Sequence, residues 1–188
     1  MKNKFVFLTF ILVFSIASLQ SGMAQDNSST NPAAVAAPVR SMIELGSVYT
    51  NIYDITITVL ETVRGKEAMT RLENAGERKA PAEGFEYVLA RVKFQFKGRA
   101  VSDKIPFDLG TAPLQWIALA GKDLTEYPHV SLKLPQPVLV GTIQPGASAE
   151  GWVGFAVDKN DAKPVMVFDP DTGGATGRGK TVFFKLYQ

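Results

Sequence analysis

The sequence predicts an all-β protein, an antiparallel β-sandwich of about eight or nine short strands, and three observations carry that prediction. The stretch Phe85 to Phe96, FEYVLARVKFQF, puts Val88, Ala90, Val92, Phe94 and Phe96 on one side and Tyr87, Leu89, Arg91, Lys93 and Gln95 on the other. That is the period-two alternation of a strand with one buried face. Further apolar or β-branched runs recur at regular spacing with Gly, Pro, Asn and Asp between them, and no long helical pattern competes.

Taken in order, the chain opens with a targeting pattern. Lys2 and Lys4 give a basic start, Phe5 to Leu19 is an apolar run, and Gly22-Met23-Ala24 supplies the small residues that signal peptidase needs. Residues 1–24 are therefore expected to be a signal peptide cleaved near Ala24; the alternative is an uncleaved N-terminal anchor. Residues 25–40, QDNSSTNPAAVAAPVR, are small, polar and without periodicity, and predict a disordered, flexible linker able to reach on the order of 50 Å when extended. The folded domain is expected over 41–188.

Within that domain Tyr53 to Val63, YDITITVLETV, alternates Tyr53, Ile55, Ile57 and Val59 against Asp54, Thr56 and Thr58, and predicts a second long strand. Lys66 to Ala75 suits either a short helix stopped by Gly76 or an exposed loop. Beyond the Lys97-Gly98-Arg99 turn, weaker apolar runs lie at Ile105 to Leu109 and Leu114 to Ala120. Val130 to Leu134 and Val138 to Ile143 predict short strands edged by Pro128, Pro135 and Pro137. Ser148 to Val157, Val165 to Phe168 and Thr181 to Tyr187 complete the set.

Composition bounds the function. There are 20 basic residues, two of them Lys2 and Lys4, against 18 acidic ones, so the chain beyond the targeting segment has no net side-chain charge. Neutrality predicts neither nucleic-acid binding nor a polybasic membrane patch. The absence of cysteine excludes a disulfide framework, a thiolate nucleophile and lipid attachment through cysteine, so the processed chain is expected to have no stable membrane anchor.

The order of features resembles a known family. Tyr53 to Val63, Gly84 opening a long strand that ends in Lys97-Gly98, Phe107-Asp108-Leu109, the Gly121 turn followed by Tyr127, Gln144-Pro145-Gly146 and Gly151-Trp152-Val153-Gly154-Phe155 are similar to bacterial exported domains of unknown function, family 4352. The resemblance covers about residues 45–188. It implies an immunoglobulin-like sandwich, similar to secreted immunoprotective antigens, and implies no catalytic residues.

Several motifs invite chemistry. Gly174 to Thr181, GATGRGKT, matches the phosphate-loop expression, but that chemistry needs a helix after the loop, and Val182 to Gln188 reads as a strand. The expectation is a glycine-rich hairpin tip, with weak anion binding by Arg178 and Lys180 as the lesser alternative. Asp169-Pro170-Asp171-Thr172-Gly173-Gly174 is partly like a calcium loop, so Asp169 and Asp171, joined by Asp158 and Asp161, are the weak metal candidates against ordinary turn chemistry. His129, the single histidine, excludes a multi-histidine zinc site, and no Gly-x-Ser-x-Gly elbow accompanies it. Trp152 is expected in the core, whereas Trp116 could line a groove.

The sequence therefore predicts no enzyme and no cofactor. It predicts an exported interaction module of the periplasm, cell envelope or extracellular space with a protein or envelope partner. The alternatives are an extracytoplasmic hydrolase whose carboxylates meet only in three dimensions, and a calcium-stabilised envelope protein.

Overall fold

A computed structural model describes residues 27–46, 51–99, 105–171 and 178–188. The targeting segment, residues 1–24, lies outside the described residues, as do positions 172–177 of the glycine-rich loop.

The described chain forms ten strands and one helix: β1 (Pro38–Leu45), β2 (Asn51–Arg64), α1 (Lys66–Asn74), β3 (Phe85–Gly98), β4 (Phe107–Asp108), β5 (Trp116–Leu119), β6 (Thr142–Ile143), β7 (Ser148–Asp158), β8 (Val165–Phe168), β9 (Arg178–Gly179) and β10 (Val182–Lys185). A five-stranded sheet in the order β7-β3-β2-β1-β9 packs on a three-stranded sheet in the order β10-β8-β5, and β4 pairs with β6. All of these pairings are antiparallel. The protein is an all-β sandwich.

The alternation of β3 sets the core. Val88, Ala90, Val92, Phe94 and Phe96 join Tyr53, Ile55, Ile57 and Val59 of β2 and Val153, Phe155 and Val157 of β7 on the inner face. Opposite them lie Trp116, Ala118, Met166, Phe168, Val182 and Phe184 of the smaller sheet. The aromatic groups interlock: Phe168 is 5.5 Å from Phe94 and 4.8 Å from Trp116, ring centre to ring centre. Burial of a side chain of this kind stabilises by about 1.5–3 kcal/mol, so this face holds the sheets together without disulfides.

A β-bulge divides β2. Its register against β3 shifts between Val59 and Glu61, and the extra residue reverses the alternation. Val63 consequently turns to the outer face, where it meets Ala68 and Leu72 of α1, Tyr87 and Leu89 of β3, Leu134, and Trp152 and Ala156 of β7. Trp152 is buried as the sequence predicts, but against the helix rather than between the sheets; the Arg71 guanidinium lies 5.1 Å from the centre of its ring. The helix alternative for Lys66 to Ala75 is the one adopted. α1 ends with the Glu77 amide donating to the Leu72 carbonyl and the Gly76 amide to Glu73, at a Gly76 φ of 90° that glycine adopts without strain.

Two expectations are corrected. The flexible linker over 25–40 is, from Asn27 onward, part of the sandwich, and β1 starts at Pro38 rather than near Ser41. The Ala33 amide donates to the Phe183 carbonyl at 2.9 Å, and the Lys185 amide to the Ala33 carbonyl at 2.8 Å. The Asn27 side chain repeats the pattern: its Nδ2 donates to Phe183 O at 2.7 Å and its Oδ1 accepts from Phe183 N at 2.8 Å. This strap covers the edge of β10 through backbone bonding, for which small residues are an advantage and apolar periodicity is not needed. Secondly, Val130 to Leu134 is not a strand, and of Val138 to Ile143 only Thr142–Ile143 is. Pro128, Pro135 and Pro137 lack amide donors, so this segment cannot form a continuous ladder and crosses the outer face as irregular chain.

Candidate functional site

α1 and the segment 130–138 cover only one half of the outer face of the large sheet. Among the described residues no helix or loop covers the other half, and register decides what it carries. Glu44 lies beside Ile52; Met42, Asp54 and Lys97 form the next row; Arg40, Thr56, Gln95 and Ser148 the one after; then Thr58, Lys93 and Glu150. β9 adds Arg178 opposite Glu44. Gly179 makes that approach possible, because a Cβ there would sit 2.6 Å from the Met42 carbonyl oxygen.

The ends of β1, β2, β3 and β9 enclose a concavity of about 960 Å³ whose walls include Arg40, Lys97, Arg99, Arg178 and Lys180, five cations, against Glu44 and Asp54. Asp54 is already engaged: Arg99 Nη2 lies 3.1 Å from its Oδ1 and Arg99 Nε 3.4 Å from its Oδ2. An exposed pair of this kind contributes about 0–1 kcal/mol to stability, but it points the guanidinium into the concavity. Arg40, Lys97 and Arg178 have no carboxylate within ion-pair distance among the described residues. In a domain of no net charge, this concentration of cations creates a local positive field. Met42 is 47% exposed and Ile52 37%, so apolar side chains stand among the cations. Chemically the site can hold oxyanions: guanidinium forks bind carboxylate or phosphate in paired hydrogen bonds, and ammonium groups add point charges.

The sequence-predicted metal candidates do not converge. Asp158 and Asp161 lie in the β7–β8 turn, where Asp158 Oδ1 accepts from the Asn160 amide. Asp161 Oδ2 accepts from the Gly121 amide and the Tyr127 hydroxyl, both at 2.9 Å, and its Oδ1 from the Lys163 amide at 3.0 Å. Asp161 thus pins the turn to the loop after β5. Burial, helped by Asp161, pushes the Tyr127 hydroxyl up to about 12. Asp169 and Asp171 follow β8, where Asp169 Oδ1 accepts from the Asp171 amide at 3.0 Å. Among the described residues, no three of His, Cys, Asp and Glu gather as a metal site.

Other candidates separate in the same way. After the glycine-rich loop the chain enters β10, paired with β8, so the helix that a phosphate loop requires is not there. Trp116 belongs to the main core. His129 is exposed, at the rim of a second groove of about 800 Å³ beside Leu114, Val130 and Leu132. Among the described residues the one buried carboxylate is Glu77. It accepts from the amides of Arg78, Lys79 and Lys133 at 2.8, 2.9 and 2.9 Å. Those amides, Lys133 first, hold its carboxyl below the usual range.

Sequence reasoning named Arg178 and Lys180 as the lesser anion-binding alternative but missed Arg40, Lys97 and Arg99. The outward alternation of Lys93, Gln95 and Lys97 along β3 was the signal that put Lys97 on the outer face. Nothing local showed that Arg40, inside the supposed linker, would stand beside it.

No family model matches the chain, and no curated protein matches it. A solved structure from Bacillus subtilis subsp. subtilis str. 168, described as "a putative lipoprotein (ycdA)", is similar at 15% identity with a TM-score of 0.45. The match covers 76% of this chain and 38% of that one.

Proposed function

We propose that this protein is an exported, non-catalytic binding module whose binding face is the open half of the large sheet, and that its ligand is anionic. The observation that carries the reading is the gathering of Arg40, Lys97, Arg99, Arg178 and Lys180 around one concavity of an otherwise charge-balanced domain. Export is supported by the basic, apolar and small-residue order of residues 1–24, and the family resemblance by the order of strands and turns. The non-catalytic part is supported by the carboxylates: Glu77 and Asp161 are committed to backbone and hydroxyl donors, and no second buried acid stands near Glu77 among the described residues.

The test is chromatography on a sulfated-polysaccharide resin in low salt. The chain should be retained, and Arg40→Glu combined with Arg178→Glu should abolish retention. The control with the same charge change elsewhere, Lys122→Glu with Lys159→Glu, should elute like the wild type. Co-elution of the two double variants would remove the site from the account.

A further inference from the structure

We infer that the open face docks on the phosphate-bearing headgroups of an anionic phospholipid bilayer, an inference that rests on the binding-face reading and makes its ligand specific. Two independent features of the face point there. One is charge: Arg40, Arg99 and Arg178 present guanidinium groups to a concavity large enough for a headgroup. Phosphate oxygens match that fork geometry. The other is the exposed apolar side chains. Of the five large hydrophobic side chains left exposed among the described residues, Met42 of β1 and Ile52 of β2 stand among the cations in the wall of this concavity.

A soluble phosphorylated ligand or an acidic peptide would be held by the cations and gain little from a thioether and a branched alkyl group left in water. A bilayer surface takes both at once. Its headgroups meet the arginines and lysines, while short apolar side chains enter the boundary with the acyl chains, as they do for amphipathic surfaces that lie on membranes. The neutral composition, which predicted no basic membrane patch, is compatible with this because the charge is unevenly spread: five cations face two carboxylates at this concavity, whereas around α1 the three carboxylates Glu61, Glu67 and Glu86 meet two arginines, Arg71 and Arg64.

The experiment is sedimentation of the chain, in the form its host exports, with vesicles of phosphatidylcholine alone and of phosphatidylcholine mixed with phosphatidylglycerol. Calorimetry with pyrophosphate and with poly-glutamate runs in parallel. Each cation near an anionic surface is worth about fivefold in partitioning, so Arg40→Ala with Arg178→Ala should weaken binding to the mixed vesicles about 25-fold. Met42→Ser with Ile52→Ser should weaken vesicle binding severalfold and leave pyrophosphate binding unchanged. All four positions are exposed, and melting curves should confirm that the variants fold; Lys97→Ala serves as a further single-site variant.

Salt-sensitive binding to mixed but not neutral vesicles, with both variant effects, is the expected result. Pyrophosphate binding that is lost in the arginine variant, without preference for mixed vesicles, overturns the bilayer inference and leaves the anion-binding face standing. The same holds if poly-glutamate binds and vesicles do not. Vesicle binding that no variant changes overturns the inference as well, and absence of binding to all probes overturns both readings.

Discussion

Glu77 is the side chain whose removal should be felt most for its size. Its two oxygens take amide protons from Arg78, Lys79 and Lys133, and so tie the end of α1 to the irregular segment that roofs Leu89 and Trp152. A hydrogen bond to a charged acceptor is worth about 1.5–3 kcal/mol when the alternative is a buried orphan. Arg78, Lys79 and Lys133 are exposed residues, so their freed amides turn partly to water and the loss falls below the sum over three bonds. Glu77→Ala should therefore destabilise by about 2–4 kcal/mol, and Glu77→Gln, which keeps one acceptor oxygen and loses the other, by about 1–2 kcal/mol. For a domain of this size such losses lower Tm by roughly 2–4 °C per kcal/mol.

The pH dependence follows from the direction of the shift. Folding lowers the Glu77 pKa, so its contribution is fully present above the ordinary glutamate value of about 4.3 and is lost as pH falls through the folded value. Urea denaturation of wild type and Glu77→Gln across that range should show their difference shrinking on the acid side. A difference that stays constant into acid, or an alanine variant within about 0.5 kcal/mol of wild type at neutral pH, would refute the clasp.

Two further perturbations test other joints. Asn27→Ala removes both side-chain bonds to Phe183 and should lower stability by about 1–2 kcal/mol in thermal melts, whereas a disordered tether would give no change. Tyr127 is raised to about 12 by burial and by Asp161, so its contribution is present below the free phenol value of about 10 and is lost as pH rises through the folded value. Tyr127→Phe should cost about 1 kcal/mol at neutral pH and flatten the alkaline stability curve between those limits. An unchanged alkaline slope in the phenylalanine variant would contradict the Tyr127–Asp161 pairing.

The strands that carry their own burial pattern were legible in the sequence. β2, β3 and β7 each present an alternating or large-aromatic face, because a residue's side of the sheet is fixed by local geometry. What was not legible depends on partners remote in sequence. The strap from Asn27 to Ala33 docks by main-chain and amide bonds that leave no mark on apolar spacing. The bulge after Val59 turns Val63 outward, and that depends on β3 and α1 rather than on anything within β2. The cationic face is remoter still: Arg40 and Arg178 line one concavity only because β9 pairs with β1, and a neutral total conceals a local excess. The prolines between 128 and 137 misled in the other direction, since apolar residues among them suggested strands whose ladders those prolines interrupt.

The central claim, that the open half of the large sheet is an anion-binding face, is tested most directly by mapping. Backbone amide resonances of the exported chain should be followed as pyrophosphate is added. The account predicts shifts concentrated at residues 40–44, 52–56, 97–99 and 178–180, around the cation-lined concavity. Shifts centred instead on the groove of Leu114, Val130 and Leu132, or on the turn that holds Asp158 and Asp161, would contradict it.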